Sequence, residues 1–138
     1  LENGFTPDTV QMPLNVLDPH YRSFEKLVLP ELVKHNIGVL GMKPLASGTL
    51  LRSNLGVSAT EALHYVMNLP VSVVITGFNT MAHLEQAVQA AATFHTLKQE
   101  EVQQLLARTA NPGRDGKLEG FKTTDRFDAT SRHPEWLG

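Results

Sequence analysis

The sequence predicts an α/β fold built on a parallel sheet. Three observations carry that reading. Three short apolar runs recur along the chain, each closed off by Pro, Gly or small polar residues. Segments with helical spacing of apolar residues separate the runs, so strands and helices alternate. The connections are short, and right-handed crossovers then make neighbouring strands parallel.

The elements follow in order. Residues 1–9 read as a helix tail and turn, with Asn3-Gly4 as a stop signal and Pro7-Asp8 as a turn. Residues 10–16 are the first strand. Ser23 is placed to cap a helix over residues 24–34, with Phe24, Leu27, Val28 and Leu32 on one side. Pro30 should kink or split that helix. Asn36 and Gly38 let the chain turn into a second strand, residues 37–42.

After a loop over residues 44–56, Ser58-x-x-Glu61 makes a capping box for a helix ending near Met67. Ala59, Leu63, Val66 and Met67 fit one face of it. Pro70 blocks further helix, and residues 71–76 are the third strand. That run is almost continuously β-branched, as for a strand covered on both faces. Thr80 can cap a helix over residues 81–92, and Thr96-x-x-Gln99 a further one over residues 97–109. The organisation is three strand–helix units (1–95), an extra helix (96–110) and a polar C-terminal tail (111–138). Phe121, Phe127 and Trp136 punctuate the tail, so it should pack partly onto a surface.

Composition narrows the function classes. The chain of 138 residues is long enough for one domain with a real core. A net charge of −2 gives no reason to expect nucleic acid or an anionic membrane as partner. With no cysteine there is no disulfide framework and no thiolate metal site. The six histidines show no zinc-ligand spacing, and His20, His64 and His133 read as surface or hydrogen-bonded polar residues. Asp125 and Asp128 lie close in sequence, but in a surface-loop context with no catalytic role. No apolar run approaches the roughly 20 residues of a membrane span. The N-terminal residues lack the parts of a signal peptide, and they begin with Leu1 rather than Met. The expectation is a chain cut from a longer one.

In parallel α/β proteins the loops that follow strands carry ligand sites. Two such loops stand out. In Ile37-Gly-Val-Leu-Gly-Met-Lys-Pro-Leu-Ala-Ser-Gly48 an apolar strand ends abruptly in Lys43-Pro44 and a small-residue loop. In Val71-Ser-Val-Val-Ile-Thr-Gly77 a strand meets a Gly turn, Phe78-Asn79-Thr80, and a capped helix, which offers free N–H groups to an anion. By spacing alone each is also an ordinary βα turn. Gln11 is equally a polar residue near a strand start, and Lys43 a solvated or acid-paired lysine.

These two segments, with Val10-Gln-Met-Pro-Leu-Asn-Val-Leu-Asp18 before them, resemble the last three strand–loop units of an aldo-keto reductase. The resemblance implies parallel (β/α) units from the C-terminal part of a TIM (β/α)8 barrel, incomplete in this chain. It implies the cofactor-binding portion of a cytoplasmic, NAD(P)H-dependent oxidoreductase, which in its intact form transfers a hydride to a carbonyl of a small molecule. NADP or NAD would be the cofactor.

Carried over residue by residue, Gln11 matches the glutamine that bonds the nicotinamide carboxamide. Met42 stands where the family has an aromatic that stacks on the nicotinamide, and Lys43 where many members have Ser. Lys43, Pro44, Leu45, Ala46, Ser47 and Gly48 would pass the pyrophosphate. Gly77, Phe78, Asn79, Thr80, His83 and Gln86 would meet the adenosine end. Many members place Lys or Arg in that last segment. This chain has neither between Arg52 and Lys98, which leaves His83 as its only cation. Gln86 and Ala87 stand where the family has Glu and Asn.

The family's general acid is a Tyr assisted by Lys, Asp and His, all in the first half of the barrel. Tyr21 and Tyr65 match none of these positions, so no catalytic residue is carried over and the chain alone should be inactive. Three strands cannot close a barrel, so the expected partner is a second copy or a missing N-terminal half. The alternative reading is a non-catalytic nicotinamide-nucleotide-binding or assembly module. A small doubly wound nucleotide domain is disfavoured, because no G-x-G-x-x-G follows the first strand.

Overall fold

The computed structural model describes residues 1, 4–126 and 129–137. Three strands, β1 (Thr9–Pro13), β2 (Gly38–Met42) and β3 (Val73–Ile75), form a parallel sheet in that order. Gln11 pairs with Leu40, and Met42 lies between Pro13 and Ile75. The pleat sends alternate side chains to opposite faces. Met12, Val39 and Gly41 are buried, and a Cβ on Gly41 would meet Val66 at 3.1 Å, so this face packs on the helices. Gln11, Leu40, Met42, Val73 and Ile75 share the other face, where Val73 remains 50% and Ile75 38% exposed. The expectation of a third strand covered on both faces fails there, because no described element packs over that side.

Strand β1 stops three residues short of the expected end. Leu14 N still reaches Met42 O at 2.9 Å, but Asn15 Oδ1 then accepts from Leu17 N (2.8 Å) and Asp18 N (3.1 Å). That side chain turns the backbone into a 3-10 turn over Asp18–His20. Leu14, Val16 and Leu17 are buried. The apolar pattern that reads as a strand end is a buried turn.

Helices α1 (Phe24–Leu27) and α2 (Leu29–Lys34) replace one continuous helix. Ser23 caps α1, its hydroxyl accepting from Lys26 N at 3.0 Å. The break at Val28 puts Pro30 second in α2, where its missing N–H has no helical partner to lose. It also turns Leu27 outward and Leu29 inward, against the expected face. The loop expected over residues 44–56 contains a 3-10 turn, Ala46–Gly48, and a short helix α3, Thr49–Arg52.

Helix α4 (Ala59–Met67) begins at the expected capping box. Ser58 Oγ accepts from Glu61 N, and Glu61 Oε2 accepts from Ser58 N at 2.8 Å. Helix α5 (Met81–Ala92) begins at Thr80, whose hydroxyl accepts from His83 N at 3.2 Å. Helix α6 (Gln99–Gly113) starts later than expected and runs past Pro112. Asn68 Oδ1 holds Leu97 N outside the helix at 2.9 Å, and Glu101, not Thr96 or Gln99, closes the first turn by accepting from Lys98 N at 2.8 Å.

The core joins Met12, Leu14 and Val39 of the sheet region to Leu32 of α2, Val66 of α4 and Leu105 of α6. Among the described residues no helix is long and apolar enough to cross a membrane. The tail packs onto the β1 turn through a 3-10 turn, Gly120–Lys122, and continues into α7 (Ala129–Arg132) and a 3-10 turn, Pro134–Leu137. Lys122 and Glu119 are both 2% exposed and bound together. Asn3, Phe127 and Asp128 lie outside the described residues, and of Trp136 only the backbone is described.

Candidate functional site

A cleft of about 690 Å³ opens where β2 and β3 end, between the loop after β2 and the start of α5. Of the expected cofactor residues, all but Ala46 and Thr80 line it. Ala46 is buried behind the loop, and Thr80 is occupied in capping α5. Leu51, Arg52, Leu63, Ile75, Thr76 and Ala87 complete the lining.

The strand-borne part is amphipathic. Gln11 Nε2 donates to Met42 Sδ at 3.1 Å, so the two side chains meet across β1 and β2. A thioether is a weak acceptor, and the amide can exchange it for a ligand carbonyl at little cost.

The loop after β2 is tightly wound. Lys43, Ala46 and Ser47 have positive φ (55°, 48° and 57°), unusual for residues with a Cβ. Gly48 at φ 79° adopts a left-handed conformation that favours glycine, and a Cβ there would lie 2.7 Å from Arg52 Nη1. The guanidinium of Arg52 therefore folds over the glycine, and its Nη2 donates to Ser47 O and Thr49 Oγ1, each at 3.3 Å. Arg52 adds to the lining a cation that was not among the expected cofactor residues, on the wall formed by the loop after β2. A helical reading of Thr49-Leu50-Leu51-Arg52 would have placed Arg52 one turn from Gly48.

On the opposite wall, Asn79 Oδ1 and His83 Nδ1 are hydrogen-bonded at 2.9 Å across the first turn of α5. Phe78 is 55% exposed at the mouth. Lys43, Arg52 and His83 are thus the ionisable side chains of the lining, with no carboxylate among the described lining residues. Lys43 and Arg52 bring two basic side chains into the lining of a chain of net charge −2.

Neither tyrosine reaches the cleft. Tyr65 is buried, and its Oη donates to Glu25 Oε2 at 2.7 Å. Burial first, and then the Glu25 charge, push the phenol far above its ordinary range. Burial also raises Glu25, although the bond from Tyr65 pulls it back. Tyr21 lies against Gly116 and the Arg22 guanidinium.

The histidines outside the cleft have structural partners. His20 Nε2 bonds Thr109 Oγ1 at 2.9 Å, and that hydroxyl donates to Val16 O at 2.8 Å. His64 Nε2 bonds Ala90 O at 2.8 Å. A smaller groove beside α6 holds Glu61, His95, Glu101 and Arg108, with Arg108 bridging Glu61 at 2.7 Å and donating to Gly56 O. Among the described residues no cluster of three or more potential ligands could hold a metal ion.

No protein-family model matches the chain, and no curated protein does. Solved structures match its fold. An aldo-keto reductase from Bacillus halodurans, in its apo form, superposes with a TM-score of 0.59 at 20% identity, over 77% of this chain and 44% of that one. The holo form gives a TM-score of 0.55 at 21% identity, over 72% of this chain and 42% of that one. The chain spans less than half the length of these structures. What the likeness shows is the fold: an open, three-stranded part of the (β/α)8 barrel of the aldo-keto reductases.

Proposed function

We propose that this chain is the cofactor-binding portion of an NAD(P)H-dependent aldo-keto reductase, an oxidoreductase acting on a carbonyl of a small molecule. The observation that carries the reading is the cleft at the strand ends, whose described lining brings Lys43, Arg52 and His83 together with Gln11 and Met42. A dinucleotide is an elongated anion with apolar rings at both ends, and the lining matches that order of chemistry. The cleft volume of about 690 Å³ is also in the range of small-molecule sites.

Bound there, the cofactor would supply the hydride. Gln11 would hold the nicotinamide carboxamide through its amide, and Met42 would lie against the ring. Lys43, Arg52 and the loop of Leu45, Ser47 and Gly48 would take the pyrophosphate. Gly77, Phe78, Asn79, His83 and Gln86 would meet the adenosine end. No tyrosine stands among the described lining residues, so the chain on its own is expected to bind cofactor and to turn over no carbonyl. That same observation favours the second reading, a nicotinamide-nucleotide-binding or assembly module.

Calorimetric titration with NADPH tests the proposal. Binding is expected, weakened by about ten- to a hundredfold in Lys43→Ala and in Arg52→Ala, since each removes a charged hydrogen bond of roughly 1.5–3 kcal/mol. No binding, or binding indifferent to both substitutions, would overturn it. NADPH oxidation with a reactive aldehyde separates the two readings only in the intact enzyme.

A further inference from the structure

Phe121 stands outside the cleft lining, yet it touches a residue of that lining. The Lys43 ammonium lies 4.3 Å from the centroid of the Phe121 ring, within cation–π reach. Phe121 is held there by its neighbour. Lys122 Nζ bonds Asp18 Oδ1 at 2.7 Å, Glu119 Oε2 at 2.7 Å and Tyr21 O at 2.9 Å, and its side chain is 2% exposed. Asn15 Nδ2 donates to the other Glu119 oxygen at 2.9 Å. Phe121 and Lys122 share one 3-10 turn, so the clamp on one fixes the other.

The kind of contact matters. A carboxylate would hold an ammonium by cancelling its charge. A ring attracts it through a quadrupole and brings no net charge of its own, so the ring's part in this contact is to position the ammonium. A lysine stem is flexible, and ordering it in advance removes that cost from the binding step.

We infer that Phe121 is a positioning residue of the cleft: the tail turn, locked by Lys122 between Asp18 and Glu119, sets the Phe121 ring as the seat of the Lys43 ammonium for the anionic part of a dinucleotide. The inference rests on the reading of the cleft as a dinucleotide site.

The test uses the full chain and Phe121→Leu, Phe121→Trp and Lys43→Ala, with NADPH as titrant and NMR of the Lys43 ε-methylene protons. In the wild type those protons resonate upfield of exposed lysines, because they lie over a ring. Phe121→Leu is expected to abolish that shift and to weaken NADPH about three- to fivefold, while the salt dependence persists because the charge remains. Phe121→Trp is expected to restore both the shift and the affinity, which a purely structural role would not require. Should Phe121→Leu lower the thermal midpoint, Phe121→Trp and the wild-type ring shift decide. An unshifted Lys43 in the wild type overturns the inference. So does a Phe121→Leu affinity equal to the wild type when Lys43→Ala is weakened, and this result leaves the cleft reading standing. Absence of wild-type binding overturns both.

Discussion

Replacing Lys122 with methionine keeps an unbranched stem and deletes one buried ammonium. The partners left behind are unequal. Asp18 retains the Ser23 hydroxyl at 2.7 Å and the backbone N–H groups of Phe24 and Glu25 at 3.0 and 2.9 Å. Glu119 retains the Asn15 amide on one oxygen and loses Lys122 from the other. The orphaned charge is therefore mainly that of Glu119, in a site 2% exposed. Removing one partner of a buried pair costs about 3–5 kcal/mol, a large share of the roughly 5–15 kcal/mol that holds a domain together. Detachment of the tail turn limits the cost, because it returns Glu119 to water.

Two measurements then move together. Urea unfolding of Lys122→Met should show about 3 kcal/mol less stability. Hydrogen exchange at the amides of Glu119 and residue 122, which bond Gly116 O and Glu119 O, should quicken to a local-opening rate. Adding Glu119→Gln should recover part of the loss by removing the stranded charge. A single substitution costing under about 1 kcal/mol, with tail protection unchanged, would refute the clamp.

Two further outcomes are expected. Burial raises the Glu25 carboxyl above its ordinary 4.5, so between that value and the raised one the folded state binds more proton than the unfolded. Stability should thus fall as pH rises through that window, and Glu25→Gln, which keeps an acceptor for Tyr65, should flatten the slope; urea midpoints from pH 4 to 8 that fall equally in both proteins would refute this. The bare face of the sheet, with Val73 and Ile75 half exposed, leaves up to about 1.5–3 kcal/mol of burial per side chain ungained, so the chain should self-associate there. Val73→Lys should then lower the mass seen in sedimentation equilibrium, and a 15.2 kDa wild-type monomer at every concentration would sink the idea.

Local signals were the legible ones. Ser58 with Glu61, and Thr80 with its helix, announce their elements because the capping partners lie within four residues. Pro30 announces its break for the same reason. Gln11 and Met42 were legible as candidates only through resemblance, and their meeting required the strand register. What stayed hidden depends on distance along the chain or on an absent neighbour. Asp18 and Lys122 are 104 residues apart, and Glu119-x-x-Lys122 in a polar tail reads as a solvated pair. The left-handed conformations of Lys43, Ala46 and Ser47 fall on residues that do not favour them, so the folding of Arg52 back over Gly48 is not written in the loop's composition. Leu14 to Val16 are apolar because the turn around Asn15 is buried, and a buried turn has no periodicity of its own. Residues 71–76 suit a doubly covered strand, yet composition cannot say whether a second layer is at hand.

The central claim is that the cleft takes a nicotinamide dinucleotide with its nicotinamide at Gln11 and Met42. Methyl NMR of the chain labelled at its four methionines tests this most directly, on titration with NADP⁺. Met42 lines the cleft and its methyl should shift with saturation. Met12, 3% exposed on the helix-facing side of the same sheet, should stay still. A stationary Met42 at saturating NADP⁺, or shifts confined to methionines outside the cleft, would contradict the account.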